Sequence, residues 1–334
     1  MQTEIIPLGT ASAMPVRGRH FSALVLRHGG HALLFDCGEG TQLQMVRAGL
    51  ISPRLDAIFI THFHGDHFYG LPGLLATMSM LRYQDGVTVV GPKGLAAALD
   101  ATPGLDRDWL SFDVDFVELR EDFGQATVFE TETYVVTARP LVHNVFTIGY
   151  RFEAKPRPGR LDVEAARARG VTDYVHYRRL KAGHDVTLPG GEVVRAGEVV
   201  GPPRPGPAFA YVTDTRPCEA ARLLARDVDV LYHEATFGEA HRDRALETMH
   251  ATAREAAAIA RDAGARRLLL GHFSARYADP APLVAEARAV FENTEAAEEL
   301  RRYPLKRPDP TPEPRTHAPA TGTHDATGRG RTGG

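Results

Sequence analysis

Apolar residues along this chain come in short runs, each closed by a cluster of polar or turn-forming residues. Runs of that length, rich in Val, Ile, Leu and Phe, predict buried strands. They fall at residues 4–9, 22–27, 32–35, 55–60, 87–90, 112–119 and 126–138, with a turn between the last two. Three more follow at 208–213, 228–232 and 267–270. Between the runs, helices are predicted at 71–81, 94–101, 217–225, 253–263 and 282–302. Thr252 and Glu255 form a capping box that opens the helix at 253, and Gly264 stops it.

Two segments break this texture. Residues 151–206 carry many prolines and glycines and little periodicity outside 163–169, and read as an insertion. Between 151 and 181 nine Lys/Arg face four Asp/Glu, a local balance of +5 in a chain whose net charge is −3. Tyr174, His176 and Tyr177 interleave with those charges, a pattern suited to phosphate contact and base stacking. From 303 to 334 the chain is rich in Pro, Thr, Gly and Arg and is expected to be disordered, since it cannot bury enough apolar surface to offset its ordering entropy. The remainder, 1–302, reads as one catalytic domain.

Composition narrows the class. At 334 residues, 43% hydrophobic and 24% charged, the chain can bury a sizeable core. Two cysteines, Cys37 and Cys218, make no disulfide framework and point to a reduced, cytoplasmic setting. No apolar stretch approaches a membrane span, and no signal sequence is evident, so no membrane partner is expected.

The chemistry concentrates at the ends of the apolar runs. Thr61-His62-Phe63-His64-Gly65-Asp66-His67 follows the run 55–60 directly and holds three histidines and an aspartate. Imidazole and carboxylate are donors that zinc favours. His62 and His64 alternate and can face one ion; Asp66 and His67 lie further on and can face a second. Other runs end in His143, Asp214, His233-Glu234 and His272. Each alone is weak, but the repetition points to one rim. With His233-Glu234 set aside, five histidines and two aspartates suit two zinc ions, with Asp214 as the bridge. Asp36 ends another run and can hold a metal-bound histidine in one tautomer. Such a pair suits phosphate ester hydrolysis. Asp66 is the candidate proton acceptor, and His250, oriented by Glu234, the candidate proton donor to the leaving oxygen. The alternative is that His250 merely packs ahead of the capped helix.

These residues resemble a known family. Gly65-Asp66-His67-Phe68-Tyr69-Gly70-Leu71-Pro72-Gly73-Leu74, His233-Glu234-Ala235-Thr236-Phe237 and His272-Phe273-Ser274-Ala275-Arg276-Tyr277 are similar to motifs of the ribonuclease Z family, tRNA 3′-processing endonucleases of the metallo-β-lactamase superfamily. The resemblance implies an α/β fold, an αβ/βα sandwich of two mixed sheets flanked by helices, with an inserted flexible arm at 151–206. It places His62, His64, His143 and Asp214 on one zinc ion and Asp66, His67, Asp214 and His272 on the other. It implies cleavage of precursor tRNA 3′ to the discriminator nucleotide, with Glu234 and His250 protonating the leaving group. It also implies a homodimer whose arm grips tRNA, with Arg17, Arg19, Arg178, Arg179, Lys181 and Arg276 as candidate RNA contacts.

Three positions depart from the family pattern. Residues 170–177 replace the usual Gly-Pro-rich arm tip. Arg17 and His20 stand where Lys and Asn are usual, and Ala251 replaces a serine beside His250. The competing expectation is a metallo-phosphodiesterase acting on small phosphodiesters without tRNA.

Overall fold

The computed structural model describes residues 2–50 and 54–308. Among these, two mixed sheets of seven strands each carry the fold, beside a two-stranded ribbon. In chain order the strands are β1 (Thr3–Gly9), β2 (Ala23–His28), β3 (His31–Phe35), β4 (Arg54–Phe59), β5 (Val87–Pro92), β6 (Val114–Leu119), β7 (Ala126–Glu130), β8 (Tyr134–Pro140) and β9 (Ile148–Ala154). There follow β10 (Val186–Thr187), β11 (Val193–Val194), β12 (Ala208–Val212), β13 (Val230–Glu234), β14 (Leu268–Gly271), β15 (Thr294–Ala296) and β16 (Tyr303–Pro304). The first sheet runs β16-β1-β2-β3-β4-β5-β6 and the second β15-β14-β13-β12-β9-β8-β7.

The unbroken apolar runs are explained by burial of both faces of each sheet. In β3, Leu33 and Phe35 enter the layer between the sheets, while Ala32 and Leu34 face the other way with Leu71, Leu74 and Leu75 of the helix Leu71–Met80. The inner layer is aromatic: Phe35 stacks on Phe59 at 5.0 Å and meets Tyr211 at 5.5 Å and Phe209 at 5.7 Å. On the far face of the second sheet, alanines of the helix Ala253–Asp262 pack on Ala210, Leu231 and Leu270. This is an αβ/βα sandwich.

Strand direction decides where the chemistry lands. β3, β4, β5 and β6 are mutually parallel, and so are β12, β13, β14 and β15. β8 is antiparallel to β9, which is antiparallel to β12, so β8 shares the direction of β12. The polar groups expected at strand ends therefore leave the carboxyl edge of each sheet together.

Residues Pro158–Arg204 form a compact unit of their own. It has three short helices, Val163–Ala168, Tyr174–Lys181 and Ala196–Val199, the first two N-capped by Asp162 and Asp173, and a small core of Ala166, Val171, Leu180, Val194 and Val199. The insertion thus begins later than its composition suggested, because residues 151–154 belong to β9 and pair with β8 and β12. The helix at 174–181 escaped sequence reading because Leu180 is its one fully buried side chain.

The carboxyl terminus departs twice from expectation. The helix predicted at 282–302 is Ala281–Arg288; Thr294–Ala296 pairs with β14, and sheet pairing overrides the helical preference of the Glu/Ala-rich stretch. The segment from 303 also starts as structure: Tyr303 is buried and pairs with Ile5 of β1, and Leu305 is buried. Residues 309–334, the rest of the expected disordered tail, lie outside the described residues. No helix among the described residues is long and apolar enough to cross a membrane.

Candidate metal centre

The first sheet supplies a turn. After β4, His62 and His64 flank Phe63, and Asp66 and His67 sit in the one-turn helix Gly65–Phe68. This turn is clamped to the end of β3: the Cys37 amide donates to His67 O and the Gly70 amide to Cys37 O, both at 2.8 Å. The approach demands glycine, since a Cβ at Gly38 would lie 2.4 Å from Asp66 O and one at Gly70 2.1 Å from Gly38 O. Cys37 itself is buried, and burial raises its thiol pKa far above the usual range, as a small core residue rather than a ligand requires.

The second sheet supplies single residues: His143 beyond β8, Asp214 beyond β12 and His272 beyond β14. Asp36, Asp214 and His272 all adopt positive φ, at 56°, 36° and 55°. That conformation is unfavourable for residues with a Cβ and is found at sites whose geometry the surroundings enforce.

Asp214 is the hub. Its Oδ2 lies 3.5 Å from His62 Nε2 and 3.7 Å from His143 Nε2. Its Oδ1 lies 3.3 Å from His67 Nε2 and 3.1 Å from His272 Nε2. Asp66 Oδ2 completes the second group, 3.4 Å from both His67 and His272. His64 joins the first through Nδ1, 2.9 Å from His62 Nε2. Two donor groups result, His62/His64/His143/Asp214 and Asp66/His67/His272, each with ligand atoms within 4.8 Å of one another, and His250 lies equally close to Asp214 and His272.

The outward nitrogens explain why the inward ones are available. His62 Nδ1 lies 2.9 Å from Thr61 Oγ1, His67 Nδ1 2.7 Å from Asp36 Oδ2, His143 Nδ1 2.9 Å from Met249 O, and His272 Nδ1 2.9 Å from Thr236 Oγ1. Each partner can take the ring proton, which leaves the Nε2 lone pair facing the cage. Asp36 is held in turn by the Thr61 amide at 2.8 Å and the Tyr211 hydroxyl at 3.0 Å. Burial keeps His62, His64 and His143 below the ordinary imidazole pKa and so neutral, the form that binds metal. Around His67 the charges of Asp214, Asp36 and Asp66 overcome burial and raise its pKa. Such an excess of buried negative charge attracts cations.

A divalent metal fits this donor set on two observations. His143 Nε2 is buried without a hydrogen-bond partner. His62 Nε2 and His64 Nδ1 face each other at 2.9 Å, as do His67 and His272 Nε2 at 3.2 Å, contacts that a shared cation would reconcile.

His250 stands at the edge of the cage, its ring 5.0 Å from His143 and 5.4 Å from His272. Its Nδ1 donates to Glu234 Oε1 at 2.9 Å. Burial opposes charge on both groups, but their mutual attraction wins, moving His250 up to about 9 and Glu234 down to about 2. Glu234 also accepts from Thr236 Oγ1 at 2.6 Å and the Thr215 amide at 2.7 Å. His233, one residue earlier, points away from the cage, its Nδ1 donating to Glu234 O at 2.8 Å.

The expected RNA contacts divide. Arg17 and Arg276 are exposed, the latter with its guanidinium 4.9 Å from the Phe237 ring. Arg19 is half-buried, donating to Tyr277 O and lying over Phe273, with burial lowering its pKa and Nη1 left without a hydrogen-bond partner. Arg178, Arg179 and Lys181 are exposed in the unit Pro158–Arg204. Sequence reasoning missed Thr61, Thr236 and the Met249 carbonyl. The one available signal was a threonine within two residues of a strand-end His or Glu.

Comparison with known proteins agrees with this geometry. The family model described as beta-lactamase superfamily domain matches residues 172–273, and that described as anti-Pycsar protein Apyc1 matches residues 3–101. Ribonuclease Z of Salinibacter ruber is 55% identical over 93% of this chain and 98% of its own. Ribonuclease Z of Methanosarcina acetivorans is 42% identical over 88% of this chain and 95% of its own. The crystal structure of human tRNase Z, short form, superposes with a TM-score of 0.64 at 28% identity, covering 91% of this chain and all of that one. Likeness at this level covers about nine-tenths of the chain, and the chain belongs to the ribonuclease Z family of endoribonucleases.

Proposed function

We propose that this protein removes 3′ trailers from precursor tRNA, hydrolysing the bond 3′ to the discriminator nucleotide with two zinc ions. The observation that carries the reading is the division of Asp214: one carboxylate oxygen faces each donor group, and the Glu234-held His250 stands beside both. His62, His64, His143 and Asp214 would hold one ion, and Asp66, His67, Asp214 and His272 the other. Bound there, such a pair would acidify water and neutralise charge on the phosphate.

The chain's own groups supply the proton transfers. The His67 and His272 partners outweigh burial and keep Asp66 ionised well below the usual carboxylate range, so it is a weak base whose free carboxylate, beside the second donor group, is the acceptor placed for the attacking water's proton. His250 is protonated at neutral pH and can donate to the leaving O3′, giving a 3′-hydroxyl on the tRNA and a 5′-phosphate on the trailer. Glu234 fixes the ring and offsets its charge.

The unit Pro158–Arg204 is read as the tRNA-gripping arm, supported by exposed Arg178, Arg179 and Lys181 beside exposed Tyr174. A homodimer is supported by exposed Leu43 and Val46 on the helix Thr41–Arg47 and by exposed Met80 and Leu81 at the end of the adjacent helix Leu71–Met80. Two free cysteines suit a cytoplasmic setting. The test is a 5′-labelled precursor tRNA with a 3′ trailer, mapped to single nucleotides. One cut after the discriminator, lost in Asp66→Ala, supports the reading; no cut by metal-loaded protein that still turns over a small phosphodiester sinks it.

A further inference from the structure

Each donor of the cage follows a strand of one sheet or the other, but His250 does not. It lies on the connection between the helices Arg242–Glu247 and Ala253–Asp262, so its ring is placed by whatever tethers that connection. The main chain is tied on both sides: the His250 amide donates to Ala245 O and the Ala253 amide to Phe237 O, each at 2.9 Å. Between them Met249 takes φ 58° and offers its carbonyl to His143.

One side chain joins this connection to the cage. Arg216 stands two residues beyond Asp214, and its own amide donates at 2.8 Å to the carbonyl of Val142, the residue before His143. Its guanidinium donates through Nη1 to His250 O and closes a fork on Glu255, with Nη1 3.0 Å from Oε2 and Nη2 2.5 Å from Oε1. Glu255 Oε2 also accepts from the Thr252 amide at 2.9 Å, in the capping box of the helix Ala253–Asp262. Both side chains are largely buried, 14% and 18% exposed. A planar guanidinium in such a fork is held in orientation as well as in place, because its donors point in fixed directions. With Nδ1 fixed by Glu234 and the carbonyl by Arg216, His250 is held at both ends, and Nε2 is the nitrogen left to meet the substrate.

The geometry points to Arg216 as the positioning residue of the proton donor: by holding the His250 main chain to the ligand loops, it sets where Nε2 meets the leaving oxygen. The inference rests on the proposed tRNA cleavage, in which that oxygen is O3′. An ion pair that only secured the helix start would act on stability alone. Positioning acts on the step in which a proton reaches the leaving group, where a displacement of about 1 Å can cost about 10²-fold.

Two variants test it. Arg216→Met removes fork and charge, and Arg216→Lys keeps the charge without the fork. Neither touches the main-chain bond to Val142, so both are expected to hold as much zinc as wild type by native mass spectrometry. Zinc-loaded proteins are compared in single turnover on precursor tRNA with the natural linkage and with sulfur in place of O3′ at the scissile bond, since a thiolate leaves without needing a proton. On the natural linkage both variants are expected to lose up to about 10²-fold in rate at an unchanged half-saturating concentration, and on the sulfur linkage to stay within about threefold of wild type. A second readout needs no substrate: the ring-proton resonance of His250 Nδ1, assigned by its loss in His250→Asn, is expected to shift in both variants. Equal losses on the two linkages, an effect confined to half-saturation, loss of zinc, a wild-type rate in Arg216→Lys or an unmoved resonance overturns the inference. Failure of wild type to cut any precursor sinks the proposed function instead, and the resonance then judges Arg216 alone.

Discussion

The two sheets build their halves of the donor cage in different ways. The first packs His62, His64, Asp66 and His67 into a single turn, whose spacing sets their mutual position. The second contributes His143, Asp214 and His272 one at a time, with 128 residues of sequence between the first and the last. A local turn is as good as its backbone; a distributed set is as good as the strand order and the side chains behind it. The second-sheet donors lean on supports from other segments, Met249 O for His143 and Thr236 for His272; in the turn, His62 takes its support from adjacent Thr61, while His67 reaches back to Asp36 at the end of β3.

Substitution at the hub should break the comparison most severely. Asp214→Ala removes the carboxylate both donor groups share, and cleavage of precursor tRNA is expected to fall by roughly 10⁴-fold or more, measured as single-turnover rate. His250→Asn should act next, lowering the rate by about 10²–10⁴-fold without loss of bound metal. Its pH signature has a definite sign. The Glu234 partner raises the His250 pKa to about 9, so the donor is charged below that value and lost as pH rises through it. Nearby bound cations move that point down. Wild type should therefore lose activity on an alkaline limb at or below about pH 9, and His250→Asn should lack the limb.

The supports should cost less and discriminate more finely. Thr236→Val frees His272 Nδ1 from its acceptor and should weaken metal affinity by roughly 10–100-fold, read by competition with a chelator. Truncating the core away from the site tests stability alone: Phe152→Ala, in β9 against Tyr134, should lower unfolding free energy by about 3–5 kcal/mol in denaturant titration. It should leave the rate per folded molecule unchanged.

The same contrast explains what was legible in the sequence. The turn at 61–67 announced itself because four donors share six positions. His143 and Asp214 were readable only as strand-end residues, and what joins them is a parallel order that no local pattern encodes. Thr61 and Thr236 stayed hidden because threonine at a strand end is ordinary, and its role emerges only when a ring nitrogen arrives from elsewhere. Arg19 shows the converse: an arginine in a polar loop looks free in the sequence, and in the fold Phe273 and Tyr277 pack against it. At the carboxyl terminus the Glu/Ala-rich stretch favoured helix locally, and pairing with β14 and β1 decided otherwise.

The central claim is that Asp214 joins two cation sites, each built from donors of both sheets. Its most direct test is metal stoichiometry by mass spectrometry of the intact native protein, zinc-loaded and desalted, beside Asp214→Ala. The account predicts two ions per wild-type chain and loss of both at equal metal activity in the variant. A single ion per wild-type chain, or two retained in the variant, would contradict it.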